Sequence, residues 1–214
     1  MRTTEITLTS DFVPLHGLLC TPQGAHGIIL FAHGSGSSRL SPRNQQVASV
    51  LQRAGFATLL FDLLTPEEHE HDAQTAEYRF NIPLLARRLS GALDWLRMQP
   101  ALAPLRIGLF GASTGAAAAL CAAADRPDDV RAVVSRGGRP DLARDALSLV
   151  KAPTLLIVGE LDTEVLHLNR LAAERLLCEH EIAVIAGATH LFEEPGTLEQ
   201  AARLARDWFV ARLA

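Results

Sequence analysis

The apolar residues of this chain fall into two kinds of segment that alternate. Short, continuous apolar runs are typical of strands buried on both faces of a sheet. They occur at residues 27–32, 56–61, 105–110, 130–135, 153–158 and 181–185. Apolar residues at helical spacing, or strong helix formers, fill the segments between and after them. These lie at residues 44–54, 82–98, the alanine run from 116, the stretch that ends near 150, 165–178 and 198–213.

Two further strands, at residues 4–9 and 15–20, precede this pattern and are predicted to form a hairpin. The alternation of strand and helix predicts an α/β fold with about eight strands, mostly parallel, the second antiparallel, and helices on both faces. The acidic stretch 66–72 is predicted to be a solvated loop. No linker or repeat interrupts the pattern, so we expect one domain over residues 1–214.

Charge and composition narrow the classes of partner. The 214 residues carry a formal net charge of -4, which does not favour binding to nucleic acid or to an anionic membrane. No apolar stretch is long enough to span a bilayer, and the first residues lack a signal core. The three cysteines, Cys20, Cys121 and Cys178, are widely spaced, as expected of reduced thiols. We therefore expect a cytoplasmic protein, monomeric or homodimeric.

Polar residues follow four of the predicted strands at their carboxyl ends. The segment 33–36, His-Gly-Ser-Gly, follows the third strand, and Ser113 follows the fifth. Asp162 follows the seventh strand and His190 the eighth. The carboxyl ends of parallel strands meet at one edge of the sheet, which is where open α/β sheets bind ligands. We expect these four groups to form one site.

The segment 111–115, Gly-Ala-Ser-Thr-Gly, matches the G-x-S-x-G nucleophile elbow of the α/β hydrolases. Together with 33–38, 135–141, 159–162 and 187–192, it gives the chain a resemblance, nearly end to end, to the dienelactone-hydrolase-like branch of that superfamily. More narrowly, the chain resembles small serine hydrolases that also occur fused to phosphoribosyltransferase domains. The founding dienelactone hydrolases use a cysteine nucleophile where this chain has Ser113, so their specific substrate is not implied. No phosphoribosyltransferase domain is recognised in the chain.

The resemblance implies a catalytic triad of Ser113, Asp162 and His190, in the chain order of the superfamily. A serine hydroxyl is a poor nucleophile until a base takes its proton, and His190 is the candidate base. A carboxylate fixes the tautomer of that base, which is the role predicted for Asp162. Glu160 and Glu164 are rival acids, and Asp162 has the alternative of capping the helix that follows it.

The resemblance also implies an oxyanion hole made by the backbone N–H groups of Ser35 and Thr114. Gly34 and Gly36 are predicted to let the loop backbone approach the substrate closely. His33 is predicted to shape this loop through hydrogen bonds rather than to act as the base.

Two arginines follow the sixth strand near the same edge of the sheet. Either Arg136 or Arg139 is a candidate to bind an anionic group of the substrate. The alternative, which we favour, is a structural salt bridge to a loop carboxylate such as Asp141. His69 and His71 lack a completing ligand set, so no metal site is predicted.

These observations predict a serine hydrolase that cleaves small or short-acyl carboxylic esters without any cofactor. No long insertion follows the sixth strand, where many relatives carry a lid, so we expect no large lid. Lactones, thioesters and amides are alternative substrates of the same triad, and cofactor-free perhydrolysis is an alternative reaction. A non-catalytic α/β-hydrolase-fold protein that binds a ligand or partner is the alternative from another class.

Overall fold

A computed structural model describes residues 3–213, which form one eight-stranded sheet in the order β1-β2-β4-β3-β5-β6-β7-β8. The strands are β1 (Thr3–Ser10), β2 (Val13–Cys20), β3 (Gly27–Ala32), β4 (Phe56–Phe61), β5 (Arg106–Ala112), β6 (Val130–Arg136), β7 (Thr154–Gly159) and β8 (His180–Ile185). Strand β2 pairs antiparallel with β1 and β4, and the remaining neighbours pair in parallel. The predicted mostly parallel sheet with an antiparallel second strand is confirmed.

Helices cover both faces of this sheet and bury a separate apolar core on each side. The helices are α1 (Pro42–Arg53), α2 (Pro66–Thr75), α3 (Ile82–Arg97), α4 (Thr114–Asp125), α5 (Thr163–Ala173) and α6 (Thr197–Leu213). Helices α1 and α6 pack together on one face, while α3, α4 and α5 lie on the other. Strands β3 and β4 are buried along their whole length, as their continuous apolar runs predict.

The predicted loop at residues 66–72 is wrong, because these residues lie in helix α2. A capping box starts this helix: the Glu68 N–H donates to the Thr65 hydroxyl, and the Thr65 N–H donates to the Glu68 carboxylate. Apart from Asp72, the helix has no buried residue. It therefore carries no apolar stripe, and hydrophobic periodicity could not reveal it.

The segment after β6 also differs from the prediction. Residues Pro140–Leu149 form 3-10 turns rather than one α-helix, and they are interrupted at Arg144, whose φ is 51°. The described residues between β6 and β7 contain no lid over the sheet edge. Helix α5 ends at Ala173, earlier than the predicted 178, because a turn takes over at Glu174.

All three cysteines are free; Cys20 is buried, and Cys121 and Cys178 are partly buried. Burial raises the pKa of the Cys121 thiol to about 11, which suppresses its thiolate. Among residues 3–213, no helix combines the length and apolar character needed to cross a bilayer.

Candidate active site

Ser113 lies at the sharp turn between β5 and α4, with φ 52° and ψ -123°. A positive φ is costly for a residue with a β-carbon, by about 1–3 kcal/mol, and such strain is held only by surrounding structure. Here the Ser113 N–H donates to the Arg136 carbonyl at 3.4 Å, and the Arg139 N–H donates to the Ser113 carbonyl at 3.0 Å. The turn is therefore tied on both sides to the loop that follows β6.

The glycines on either side of the turn are required by close packing. A β-carbon on Gly111 would overlap the backbone of Ala116, and one on Gly115 would overlap the Ala32 carbonyl. Helix α4 can thus start directly against β5 and β3, which leaves Ser113 at the tip of the turn.

Asp162 and His190 meet at the carboxyl ends of β7 and β8. The His190 Nδ1–H donates to Asp162 Oδ2 at 2.6 Å, with the aspartate side chain 14% exposed and the histidine 40%. Asp162 occupies the N-cap position of α5, yet its side chain makes no capping hydrogen bond. The capping alternative for this carboxylate is therefore not what the structure shows.

Close contact between the two loops brings this pair together. A β-carbon on Gly159 would overlap the carbonyl oxygens of Ala188 and Thr189. The Leu161 N–H donates to the Ala188 carbonyl at 2.9 Å, directly beside Asp162. On the other side, Glu194 accepts a hydrogen bond from the Thr189 N–H at 3.1 Å and steadies the histidine loop.

The rival acids have other positions. Glu160 accepts a hydrogen bond from the Gly187 N–H at 2.9 Å, so it fixes the turn before His190 without touching the imidazole. Glu164 lies exposed in the first turn of α5.

His33 holds the loop after β3 from beneath. The Leu63 N–H donates to His33 Nε2 at 3.0 Å, so the proton resides on Nδ1, which donates to the Gly34 carbonyl at 3.0 Å. Burial lowers the pKa of His33, because the charged imidazolium would lose water. His33 is thus a neutral scaffold residue, and its predicted shaping role is confirmed.

The loop that His33 supports runs over the nucleophile turn. A β-carbon on Gly34 would lie 2.9 Å from the Ser113 β-carbon, so only glycine allows this approach without a shift. Gly36 has φ 66°, in the left-handed region that favours glycine. Ser35 and Thr114 both border a small void of about 10 Å³ behind the loop. Thr114 begins α4, where first-turn N–H groups have no acceptor within the helix.

Sequence reasoning missed the role of Asp62 in this loop. The Arg39 N–H donates to Asp62 Oδ1 at 2.7 Å, and the Arg39 guanidinium also pairs with the same carboxylate. Asp62 therefore anchors the far end of the loop to the end of β4. Its position after a buried strand was the only signal available in the sequence.

A cavity of about 290 Å³ opens beside the nucleophile turn. Its walls include Ser113, His190, Gly34 and Ser35, and, with Arg136, five of the predicted site residues share one space. Arg136 lies in the same wall. Gly36 and Thr114 do not line this cavity; they border the small void behind the loop.

The two arginines after β6 have different environments. Arg139 forms a two-pronged ion pair with Asp141, at 2.9 and 2.8 Å, which confirms the structural alternative for this residue. Arg136 is only 7% exposed and forms no ion pair with any carboxylate of the described residues 3–213. Its guanidinium carbon instead lies 5.8 Å from the Phe110 ring centroid and 6.0 Å from that of Phe192. The salt-bridge alternative is therefore wrong for Arg136.

The far wall of the cavity comes from the first turn of α1, which sequence reasoning did not connect to the site. Ser41 caps this helix by accepting a hydrogen bond from the Asn44 N–H at 3.3 Å. Ser41, Arg43 and Asn44 all line the cavity. Ser41-Pro42 is a helix-start signal in the sequence, but the sequence does not show what that helix end faces.

Within residues 3–213, no group of three or more histidine, cysteine, aspartate or glutamate side chains is arranged to hold a metal ion. His71 contacts Glu77 at 2.8 Å on the exposed face of α2.

The sheet order and the strand–turn–helix at Ser113 define an α/β-hydrolase fold. A solved dienelactone hydrolase from Anabaena variabilis is 56% identical, with a TM-score of 0.98 over 100% of this chain and 99% of that one. A profile of the dienelactone hydrolase family matches residues 15–211. The chain therefore belongs to the dienelactone hydrolase family. Est1E from Butyrivibrio proteoclasticus shares the fold, with a TM-score of 0.80 at 16% identity over 97% of this chain and 98% of Est1E.

Two curated relatives, from two strains of Mycobacterium tuberculosis, are 57% identical to this chain over 213 residues. Both carry the provisional name phosphoribosyl transferase. The match covers 100% of this chain and 47% of each relative, so the chain spans about half the length of the proteins it matches.

Proposed function

We propose that this protein hydrolyses small or short-acyl carboxylic esters through an acyl-enzyme on Ser113. The observation that carries the proposal is the 2.6 Å hydrogen bond from His190 to Asp162, beside a cavity lined by both His190 and Ser113. Membership of the dienelactone hydrolase family supports hydrolase activity. The ester specificity and the roles of individual residues are our assignment.

In the first half-reaction, Ser113 Oγ attacks the ester carbonyl while His190 Nε2 takes the hydroxyl proton. The carbonyl oxygen becomes an oxyanion, which the N–H groups of Ser35 and Thr114 are assigned to bind. The tetrahedral intermediate then collapses, and the alcohol leaves with the proton from His190. Asp162 stays ionised throughout and stabilises the imidazolium.

The second half-reaction consumes one water. His190 takes a proton from that water as its oxygen attacks the acyl-serine carbonyl. The same two N–H groups bind the second oxyanion. Collapse returns the proton to Ser113 Oγ and releases the carboxylic acid, so the enzyme ends in its starting state.

The cavity supports the assignment of small substrates. Its volume of about 290 Å³ lies just below the range of about 300–1,000 Å³ seen for pockets that bind drug-sized ligands. The described residues after β6 supply no lid that would extend an acyl-binding tunnel.

The transferase name of the mycobacterial relatives belongs to proteins about twice the length of this chain. We assign that activity to the part of those proteins that this chain does not cover. A cytoplasmic location and a monomeric or homodimeric state stay predictions.

Turnover of p-nitrophenyl acetate by wild type and Ser113→Ala tests the proposal. We expect loss of at least about 10³-fold in kcat/KM for the variant, as for removal of other serine nucleophiles. Ser148→Ala is the matched control, because its exposed hydroxyl donates only to the Asp145 carbonyl. Equal turnover by both variants would rule out Ser113 as nucleophile.

A further inference from the structure

Arg136, in the wall of the candidate active site, is a buried cation that has no counter-ion among the residues that the structure describes. Its side chain is 7% exposed, and Nη1 has no hydrogen-bond partner among residues 3–213. Burial, with the nearby charge of Arg43, lowers the pKa of Arg136 to about 10, so the group is still charged at neutral pH. A buried, unpaired charge is costly, and proteins pair such groups or use them to bind a ligand of opposite charge.

The aromatic rings beside Arg136 do not satisfy its hydrogen-bonding groups. Phe110 and Phe192 lie at 5.8 and 6.0 Å from the guanidinium carbon, near the outer limit of a cation–π contact. Such contacts do not use the in-plane N–H groups, which are the groups that bind oxyanions in a fork.

A second unpartnered polar side chain lies in the same cavity wall. Asn44 is 2% exposed; its Oδ1, an acceptor, has no hydrogen-bond partner among residues 3–213, and the N–H groups on its Nδ2 are the donors that an oxyanion would use. Asn44 and Arg43 stand in the first turn of α1, a twelve-residue helix whose N-terminus carries partial positive charge. Arg43 is partly exposed, and its Nη1 forms an ion pair with Glu193 Oε1 at 3.0 Å.

The charges of the cavity indicate the charge of the ligand. Among the described residues, Arg43 and Arg136 are the only lining residues that carry a fixed charge; Arg43 is paired with Glu193, and Arg136 has no counter-ion. A carboxylate would neutralise one of these charges. A phosphate monoester carries about -1.5 to -2 at pH 7, and it offers three acceptor oxygens to two guanidinium groups, an amide and a helix N-terminus.

The position of Arg136 fixes where that group lies in the substrate. Arg136 is the register partner of Ala112 on the neighbouring strand, and its carbonyl accepts the hydrogen bond from the Ser113 N–H. Neighbouring strands lie about 4.8 Å apart. Because Arg136 and Ser113 also line the same cavity of about 290 Å³, one small substrate can place its anionic group at Arg136 and its ester carbonyl at Ser113.

We propose that Arg136, Arg43 and Asn44, with the N-terminus of α1, form a subsite for a phosphate group on the ester substrate. This inference rests on the proposed function for the identity of the reaction, but the subsite can be tested without turnover. The substrate class is a small carboxylic ester that carries a phosphate monoester close to the scissile bond.

Calorimetric titration with phenyl phosphate tests the subsite directly, in wild type and in Ser113→Ala. We expect binding to both, and binding at least about tenfold weaker in Arg136→Met and Arg43→Gln, because each loses a charge-assisted hydrogen bond. Arg139→Gln is the matched control, since its guanidinium is already satisfied by Asp141, and it should bind like wild type. Benzoate, which has a single negative charge, should bind more weakly than phenyl phosphate.

Three results would overturn the inference: no phenyl phosphate binding to wild type, unchanged binding in the folded Arg136 and Arg43 variants, or benzoate binding as tightly as phenyl phosphate. If Arg136→Met does not fold, Arg43→Gln carries the test, because Arg43 is partly exposed. Phenyl phosphate should also inhibit p-nitrophenyl acetate hydrolysis competitively. If phenyl phosphate binds but no ester is turned over, the proposed function is refuted and the subsite stands. If the ester is turned over but phenyl phosphate does not bind, the subsite is refuted and the proposed function stands.

Discussion

Asp162 accepts a hydrogen bond of 2.6 Å from His190, although it occupies the N-cap position of α5. Its side chain makes no capping hydrogen bond to that helix. A side-chain cap is worth about 1 kcal/mol, so the fold forgoes a local stabilisation at this residue. The free carboxylate is available to the imidazole instead. The contact with His190 favours a functional role for Asp162 over a capping role, and substitution of Asp162 tests this.

Asp162→Asn is expected to reduce kcat/KM for p-nitrophenyl acetate by about 10³–10⁴-fold, because asparagine does not stabilise the imidazolium and favours the wrong tautomer. The free energy of unfolding should change by no more than about 1 kcal/mol, since the Asp162 side chain makes no capping hydrogen bond that the substitution could remove. Glu164→Gln is the control, from an exposed acid two residues away. If Glu164→Gln loses as much activity as Asp162→Asn, the assignment of Asp162 as the acid of the triad is wrong.

Gly115→Ala is expected to lose both stability and activity. The new β-carbon would overlap the Ala32 carbonyl, and relieving such overpacking costs about 1–3 kcal/mol and moves α4 away from β3. Gly24→Ala is the matched control: nothing lies within 4 Å of its β-carbon, and only its φ of 69° is unfavourable. Thermal melts and ester turnover of the two variants make the comparison. If Gly115→Ala melts and turns over like Gly24→Ala, the close packing of the turn is not needed.

Stability should fall in mild acid because of His33. Burial lowers the pKa of His33 in the folded state. Below pH 6.5, the unfolded chain therefore binds a proton at this imidazole while the folded chain does not. The contribution of His33 to the free energy of unfolding is fully present above pH 6.5. It declines as the pH falls from there toward the lowered pKa, by at most about 1.4 kcal/mol per pH unit.

Urea unfolding of wild type and His33→Gln at pH 7.5 and pH 5.5 measures this contribution. Glutamine can still accept the Leu63 N–H hydrogen bond but cannot take up a proton. The variant should therefore lose less stability than wild type between the two pH values. An equal loss in both proteins would contradict a neutral, buried His33.

Acyl-chain preference follows from the small cavity. Turnover of p-nitrophenyl esters should be fastest with acetate or butyrate and fall by about tenfold or more for laurate, whose chain cannot be buried in about 290 Å³. The comparison is made on kcat/KM below the solubility limit of each ester. A preference for laurate would show that the protein opens a longer acyl site.

The sheet could be predicted from the sequence because buried strands leave continuous apolar runs. The positions of Ser113, Asp162 and His190 could be predicted because a parallel sheet brings the carboxyl ends of its strands to one edge. The sequence also predicted the Arg139–Asp141 pair, which is local in the chain. Helix α2 escaped prediction because it has almost no buried face.

The environment of Arg136 could not be predicted from the sequence. It depends on α1 and on the loop at Phe192, both far away along the chain, packing against the end of β6. The same holds for Asn44, which reads as an ordinary residue of a helix first turn until its neighbours are known. Non-local packing decides whether a polar residue is solvated, paired or left free for a ligand.

Labelling with a fluorophosphonate probe, with the adduct located by peptide mass spectrometry, shows whether Ser113 is an activated nucleophile. We expect one adduct in wild type, on the peptide that contains Ser113, and none in folded Ser113→Ala. A folded wild-type protein that is not labelled, or that is labelled at another residue, would contradict an activated Ser113 and would favour a non-catalytic binding role for this fold.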